Sequence, residues 1–156
     1  MEIHYRNNGI IDLVHILKGN LSSPELNKKN SVCIKVVSPQ EFPQITAGIW
    51  SPEHLFVAAI CGCLKTTFFA IAKNSMLQIT SFSCKAEGRM ELVEGEFIMS
   101  KILLKPLVVI PHELYRSKTM RILKKAKDAC HVARSVESKI NLEIIIKDKS
   151  ILLESN

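Results

Sequence analysis

Residues 51–70 have the sequence Ser51-Pro-Glu-His-Leu-Phe-Val-Ala-Ala-Ile-Cys-Gly-Cys-Leu-Lys-Thr-Thr-Phe-Phe-Ala70, and this stretch decides the fold. It predicts a helix that extends to about Asn74. Ser51 can cap the N-terminus, Pro52 suits the first helical position, and Glu53 complements the positive end of the helix dipole. The helix is apolar on nearly every side, which is typical of a helix at the centre of a protein or at a subunit interface.

The apolar character of this helix also raises the question of a membrane span. Its uninterrupted apolar run, Leu55–Leu64, covers ten residues, whereas a helix needs about 20 to cross a bilayer. Lys65 follows near the middle of the stretch, where a charge would be costly in lipid. We therefore predict a protein that does not enter the membrane, with this helix inside the domain.

The first 50 residues predict strands and loops. Residues 10–17 are rich in β-branched and apolar side chains, and Gly19-Asn20 is a turn signal at their end. Residues 31–38 alternate in polarity and predict a second strand. Two loops are predicted from their polar residues, prolines and glycine, over residues 20–30 and 39–48.

A long hairpin is predicted after the helix. Residues 82–90 alternate between the two faces of a strand, Glu94-Gly95 is the turn, and Phe97–Ile110 returns as the partner strand. Pro106 lies in this partner strand, and a proline is normally confined to an edge or a bulge.

A second helix is predicted to begin at Pro111, and a final strand covers Ile140–Lys147. Helical spacing assigns the following residues to the buried face: Tyr115, Thr119, Ile122, Leu123, Ala126, Ala129, Cys130 and Ala133. The order of strands, long helix, hairpin, helix and strand predicts an α+β domain.

The composition narrows the class of protein. With 156 residues, 47% of them apolar and 23% charged, the chain is typical of one globular domain, residues 1–156. Its first residues contain no apolar signal segment, and five irregularly spaced cysteines argue against a disulfide framework. Both observations favour the cytoplasm. The net charge is +6, but the densest basic stretch, Arg121–Lys127, is the polar face of a predicted helix, so no nucleic-acid partner is predicted.

The cysteines are the candidate functional residues. Cys63 and Cys130 lie on the two predicted helices, and two thiols that face one interior are candidates for an attacking and a resolving thiol. The alternative is that both are inert buried thiols, which are common. Cys61 faces another side of the helix than Cys63, because residues two apart do not share a helix face. Cys33 and Cys84 lie on predicted strands as core residues.

A metal site is a further hypothesis. It would use Cys61, Cys63, Cys130 and His131 as ligands. Cys-x-Cys on a helix, combined with Cys-His, is not a standard zinc spacing, so we predict no metal.

Two motifs resemble those of a known family. Glu53 and Cys63 are ten residues apart in Pro-Glu-His-Leu followed by small residues, and Cys130 lies in Ala126-Lys-Asp-Ala-Cys-His-Val-Ala133. These stretches are similar to the Pro-Glu-x-Leu…Cys and Ala-x-x-x-Cys-Pro-x-Ser elements of the OsmC/Ohr family of hydroperoxide reductases. The order of elements agrees along about residues 45–147.

The resemblance implies an OsmC-like fold, with antiparallel sheets packed on a long central buried helix, in an intertwined homodimer. It implies a peroxidase in which the Cys63 thiolate attacks an organic hydroperoxide and becomes a sulfenic acid. Cys130 then condenses with it to a disulfide, which an external dithiol reduces. No metal or organic cofactor is required, and the implied role is defence against peroxide stress.

Glu53 is the third catalytic residue that the resemblance implies. Ten residues along a helix cover about 15 Å, so Glu53 cannot touch Cys63 of its own chain. In the family's homodimers the sites lie at the subunit interface. Glu53 of a second copy would then help to position an arginine that lowers the thiol pKa. The alternative is that Glu53 is only an acid at the start of a helix.

The chain departs from the family pattern in its cations. Arg6 is the only arginine before Arg89, and without a nearby cation a buried thiol has a raised pKa. Lys18 could substitute as a point charge, without the fork of a guanidinium. The alternative function is therefore a catalytically weak protein of the same fold that binds a small apolar ligand at the dimer interface. His131, in place of the family's proline, is predicted to be an ordinary helix-end histidine.

Overall fold

A computed structural model describes residues 4–5, 18–22, 34–37 and 50–149. The chain forms two compact units, residues 1–56 and residues 57–156. The boundary between the units lies within one helix, α1 (Pro52–Asn74). The single domain that the composition predicts stays a prediction.

Three short strands form the sheet of the first unit. They are β1 (His4–Tyr5), β2 (Lys18–Ser22) and β3 (Ile34–Val37), and they pair antiparallel in chain order. β3 lies inside the strand predicted for residues 31–38, so that prediction is confirmed for its central part.

The turn predicted at Gly19-Asn20 is wrong. Both residues lie inside β2 and pair with β3, so the predicted loop over residues 20–30 cannot begin before Ser22. Pairing with neighbouring strands overrides the weak strand propensity of glycine and asparagine. The predicted strand over residues 10–17 and the predicted loop over residues 39–48 lie outside the described residues.

α1 begins where the sequence predicts it, and its first turn is capped in both directions. The His54 N–H donates to Ser51 Oγ at 3.2 Å, and the Ser51 N–H donates to His54 Nδ1 at 3.1 Å. This is a capping box in which a histidine takes the place of the usual Glu or Gln. The predicted cap and the predicted end at Asn74 are both confirmed.

One face of α1 is buried within the chain. The buried residues recur every fourth position and are Ile60, Leu64, Phe68 and Ala72. Among the described residues, α1 alone is long and apolar enough to span a membrane. Its most apolar 18-residue stretch has a mean hydropathy of 2.0, and 22% of that stretch is buried. A single helix of this kind is weak evidence for a span, because helices of protein cores have the same composition.

The predicted hairpin is confirmed. It consists of β4 (Ser81–Val93) and β5 (Glu96–Ile110). Glu94 and Gly95 form the turn with φ of 52° and 89°, the left-handed conformation that a tight hairpin turn requires. The predicted alternation also holds, because Phe82, Cys84 and Ala86 are half-buried and their chain neighbours are exposed.

The prediction that Pro106 lies at an edge or a bulge is wrong, because Pro106 lies in the central strand β5 and the register shift of the hairpin is at Arg89 and Met90. β5 pairs with β4 on one side; on the other it pairs with β6 (Lys139–Leu142) and then with β7 (Ile145–Asp148). The pairing with β6 ends at Leu104 and that with β7 begins at Leu107, so Pro106 falls in the gap where no ladder donor is needed on that side.

The end of the chain therefore differs from the single strand predicted at Ile140–Lys147. β6 and β7 are two strands, and both run parallel to β5, so the predicted antiparallel pairing holds for β4–β5 and not for the whole sheet. Parallel pairing requires a crossover, and the helical segment between β5 and β6 provides it.

The second helix begins later than Pro111 and ends before Cys130. A short 3-10 turn (Glu113–Tyr115) leads into α2 (Arg116–Asp128). Four of the predicted buried residues are buried in α2, whereas the predicted Tyr115, Ala129 and Ala133 lie outside α2 and are half-buried. α2 buries Thr119, Ile122, Leu123 and Ala126. Cys130 is buried as predicted, but it lies after α2, where it caps a further short helix, α3 (His131–Arg134).

Gly88 marks the closest approach of α1 to β4, and we expect Gly88→Ala to destabilise the protein. An added Cβ would lie 2.7 Å from Val57 Cγ2 on α1 and 2.7 Å from Met99 Sδ. Overpacking of this kind costs about 1–3 kcal/mol of unfolding free energy, measurable by urea denaturation. Val57→Ala removes one of the two obstacles, so the double variant should lose less than the sum of the single losses. An unchanged or higher midpoint for Gly88→Ala would contradict the close contact.

Candidate active site

The structure brings together the two cysteines that the sequence singles out. Cys63 projects from α1, and Cys130 lies in the break between α2 and α3; their thiols are close enough for each to shift the pKa of the other. Cys130 is 1% exposed, whereas Cys63 is partly exposed, so a small molecule from solvent would meet Cys63 first. Both thiols are free in the structure.

Several donors surround the Cys63 sulfur. Burial by itself raises the pKa of Cys63, but four hydrogen bonds together lower it below its usual value. In order of effect, these come from the Cys130 thiol, the Val132 N–H, the Thr67 hydroxyl at 4.0 Å and the His131 N–H. Hydrogen bonds to the charged form favour it, so the thiolate of Cys63 is stabilised.

The pKa of Cys130, in contrast, is raised. Its burial, followed by its contact with Cys63, raises its pKa to about 11. Its sulfur accepts a hydrogen bond from the Ala133 N–H at 3.5 Å, which caps α3 and only partly offsets the increase. Cys130 therefore holds its proton at neutral pH and can donate it toward Cys63. One proton shared unequally between two thiols makes Cys63 the nucleophile of the pair.

Thr67 and the two backbone donors are not among the residues predicted from the sequence. Thr67 is four residues after Cys63 on α1, and this spacing places both on one helix face, so the signal was present. The N–H groups of His131 and Val132 are free to reach a sulfur only because α2 ends at Asp128 and a new helix begins. The sequence contains no proline or glycine at this break.

Glu53 lies in the first turn of α1, ten residues before Cys63. Its side chain is half-buried, and its Oε2 is buried with no hydrogen-bond partner among the described residues. A buried carboxylate oxygen needs a donor or a cation. Lys18, the predicted substitute for an arginine, lies in β2, and its side chain is outside what the structure describes.

The four ligands of the hypothetical metal site do not converge. Cys61 contacts Cys84 on β4, away from Cys63, with Cys61 Sγ 3.8 Å from the Cys84 carbonyl oxygen. Within residues 50–149 and the short described strands, no three cysteine, histidine or acidic side chains are grouped as metal ligands.

We expect Thr67→Val to raise the pKa of Cys63, because it removes one of the donors that stabilise the thiolate. The rate of alkylation by iodoacetamide follows the thiolate fraction, so its pH profile should move to higher pH. Thr66→Val is the matched control, since the Thr66 hydroxyl donates to the carbonyl oxygens of Gly62 and Cys63 and not to the sulfur. Mass spectrometry of the alkylated Cys63 gives the profile. A profile that moves equally in both variants would contradict a specific role of Thr67.

These features define a class of α+β proteins in which a long apolar helix packs on a sheet and carries one of two contacting cysteines. A sequence model of the family described as OsmC-like protein matches residues 46–145. The chain belongs to this OsmC-like family, and the family assignment made from the Glu53 and Cys130 motifs is confirmed.

Comparison with individual proteins agrees on the fold. The chain is 24% identical over 97 residues to the uncharacterized protein YmaD of Bacillus subtilis, covering 60% of this chain and 65% of that protein, slightly under two thirds of its length. An OsmC-like protein of unknown function from Vibrio cholerae superposes with a TM-score of 0.74 and 19% identity, covering 92% of this chain and 96% of that one.

The name of a third relative refers to resistance against organic hydroperoxides. The organic hydroperoxide resistance protein OsmC of Legionella pneumophila superposes with a TM-score of 0.64 and 14% identity, covering 94% of this chain and 95% of that one. At these identities the superpositions establish the OsmC-like fold.

Proposed function

We propose that the protein is a cytoplasmic thiol peroxidase that reduces organic hydroperoxides in defence against peroxide stress. The Cys63 thiolate attacks the outer oxygen of the hydroperoxide, the O–O bond breaks, and the alcohol leaves after taking up a proton. Cys63 is now a sulfenic acid. The Cys130 sulfur attacks it, water leaves, and a disulfide forms. An external dithiol returns two electrons and two protons and restores both thiols.

This proposal rests on the proximity of two thiols whose pKa values are shifted in opposite directions. A lowered pKa at the partly exposed Cys63 supplies the nucleophile, and a pKa of about 11 keeps the buried Cys130 protonated until it is needed. Because the two thiols lie close enough to shift each other's pKa, the sulfenic acid would meet its resolving partner without a large rearrangement. The membership in the OsmC-like family and the hydroperoxide-resistance names of its structural relatives support the same substrate class.

The proposal includes a homodimer in which Glu53 completes the site of the second copy. The outward face of α1 carries one large exposed apolar side chain, Phe69, which is 40% exposed. A second exposed apolar group lies at the hairpin end and consists of Leu92, Val93, Phe97 and Ile98. Exposed apolar surface of this extent favours association. The unpartnered Oε2 of Glu53 would then hold a cation near the thiolate of the partner.

The test is stoichiometric reaction of the reduced protein with cumene hydroperoxide in the absence of a reductant. We expect one equivalent of cumyl alcohol and the loss of two thiols per chain, with peptide mapping that joins Cys63 to Cys130. A dithiol such as dihydrolipoamide should restore the thiols and permit turnover. No consumption of peroxide beyond a buffer control would overturn the proposal.

One observation favours the second candidate, a catalytically weak protein that binds a small apolar ligand. Among the described residues, every group that lowers the pKa of Cys63 is neutral. A thiolate without a cation is a poorer peroxidase nucleophile. Thiols that stay reduced under excess hydroperoxide, together with an apolar ligand retained in native mass spectrometry, would decide for this alternative.

A further inference from the structure

Cys61 and Cys84 form a second pair of contacting thiols. Cys61 is two residues before Cys63 on α1 and therefore faces a different direction, toward β4. Cys84 lies on the half-buried face of β4. The Cys61 sulfur is 3.8 Å from the Cys84 carbonyl oxygen, and the Cys61 thiol is near enough to raise the pKa of Cys84. The described part of the chain thus has two thiol pairs, which begin at positions two residues apart on one helix and face different directions.

The packing around the second pair holds α1 and β4 at a fixed close distance. On one side, Val57 of α1 lies against Gly88 of β4, where an added Cβ would be 2.7 Å from Val57 Cγ2. On the other side, the rings of Phe68 and Phe82 stack with centroids 5.2 Å apart. Cys61 and Cys84 lie between these two contacts on both elements, where the helix and the strand are held close together.

We propose that Cys61 and Cys84 are a second oxidation site, which closes as a disulfide between α1 and β4 when hydroperoxide is in excess over reduced Cys63. One thiol attacks the outer oxygen of an organic hydroperoxide, the O–O bond breaks, and the alcohol leaves. The second thiol displaces water from the resulting sulfenic acid. The two thiols lose two electrons, the hydroperoxide gains them, and the products are one disulfide, one alcohol and one water.

The second pair reacts after the first. Burial, followed by the contact with Cys61, raises the pKa of Cys84 to about 12, so its thiolate is scarce at neutral pH, whereas the pKa of Cys63 is lowered. Reaction rates follow the thiolate fraction, and we expect the second disulfide to form at least about ten-fold more slowly than the first. The crosslink would record high or prolonged exposure to hydroperoxide.

The experiment uses the full chain with Cys63→Ser and Cys130→Ser, so that only the second pair can respond. After exposure to cumene hydroperoxide, we expect the loss of two thiols and a linked peptide that contains Cys61 and Cys84. Proteolysis under non-reducing conditions followed by mass spectrometry identifies it. The crosslink should raise the thermal unfolding midpoint by roughly 5–10 °C, and dithiothreitol should reverse the change.

Adding Cys84→Ser to this variant is the matched control, and it should abolish both the linked peptide and the thermal shift. If the double variant does not fold, the parent protein at increasing peroxide should yield the first disulfide and then the second. Overoxidation of Cys61 and Cys84 separately, or thiols that stay reduced at both positions, would overturn the inference. The result is independent of the proposed function, because the double variant lacks the first thiol pair.

Discussion

Cys63→Ser should abolish the rapid consumption of organic hydroperoxide by the reduced protein. A serine hydroxyl does not ionise at neutral pH, and the donors around Cys63 cannot lower its pKa far enough to supply an oxyanion nucleophile. We expect the initial rate with cumene hydroperoxide to fall at least about ten-fold, to the slower rate of the Cys61–Cys84 pair. The rate is measured by the disappearance of the peroxide in the presence of a dithiol.

Cys61→Ser is the control for this variant, because it makes the same chemical change two residues away on α1. Cys61 contacts Cys84 and does not reach the Cys63–Cys130 pair, so its loss should leave the initial rate within about two-fold of the parent. Equal rates for the parent and for Cys63→Ser would refute the peroxidase mechanism. Equal losses in both variants would indicate damage to α1 rather than to a nucleophile.

The parts of the fold that the sequence predicts well are those with local signals. Ser51 and Pro52 mark the start of α1, and the positive φ values of Glu94 and Gly95 explain why this dipeptide reverses the chain. The wrong predictions depend on partners that are distant in sequence. Gly19 lies in a strand because β3 pairs with it, and Pro106 is central because β6 and β7 divide its other side between them.

In the candidate site, too, local sequence motifs could be predicted and features that depend on the folded structure could not. The Cys63 and Cys130 motifs could be identified from the sequence, because each has a family spacing around it. The difference between their pKa values could not, because it arises from unequal burial and from the N–H groups of His131 and Val132. Those groups become available only where α2 ends and α3 begins, and nothing in residues 126–133 signals that break.

The short helix α3 explains how a thiolate can form without a charged neighbour in the described part of the chain. Two of the donors to Cys63 are N–H groups of α3, and a third is the Cys130 thiol that caps it. The same break in the helix thus supplies the resolving cysteine and part of the stabilisation of the attacking one. A substitution that extends α2 through Ala129 would remove both at once.

Cys130→Ser should separate the first chemical step from the second. The serine hydroxyl can still donate to Cys63, so one equivalent of hydroperoxide should be reduced at a rate within about five-fold of the parent. No disulfide can form, and the Cys63 sulfenic acid should persist, to be trapped by dimedone and detected by mass spectrometry. Turnover with an external dithiol should fall at least about 100-fold if the dithiol reduces only the disulfide.

Cys130→Ala extends this test to the pKa of Cys63. It also blocks the disulfide, but it removes the strongest of the hydrogen bonds that lower the pKa of Cys63, which the serine retains. With this donor lost, the pKa of Cys63 rises. The pH profile of the first turnover should therefore move to higher pH in Cys130→Ala relative to Cys130→Ser. Since Cys130 is buried, a substitution there can disturb folding, and circular dichroism is used to verify that both variants are folded. Coincident profiles would mean that Cys130 resolves the sulfenic acid without activating the attacking thiol.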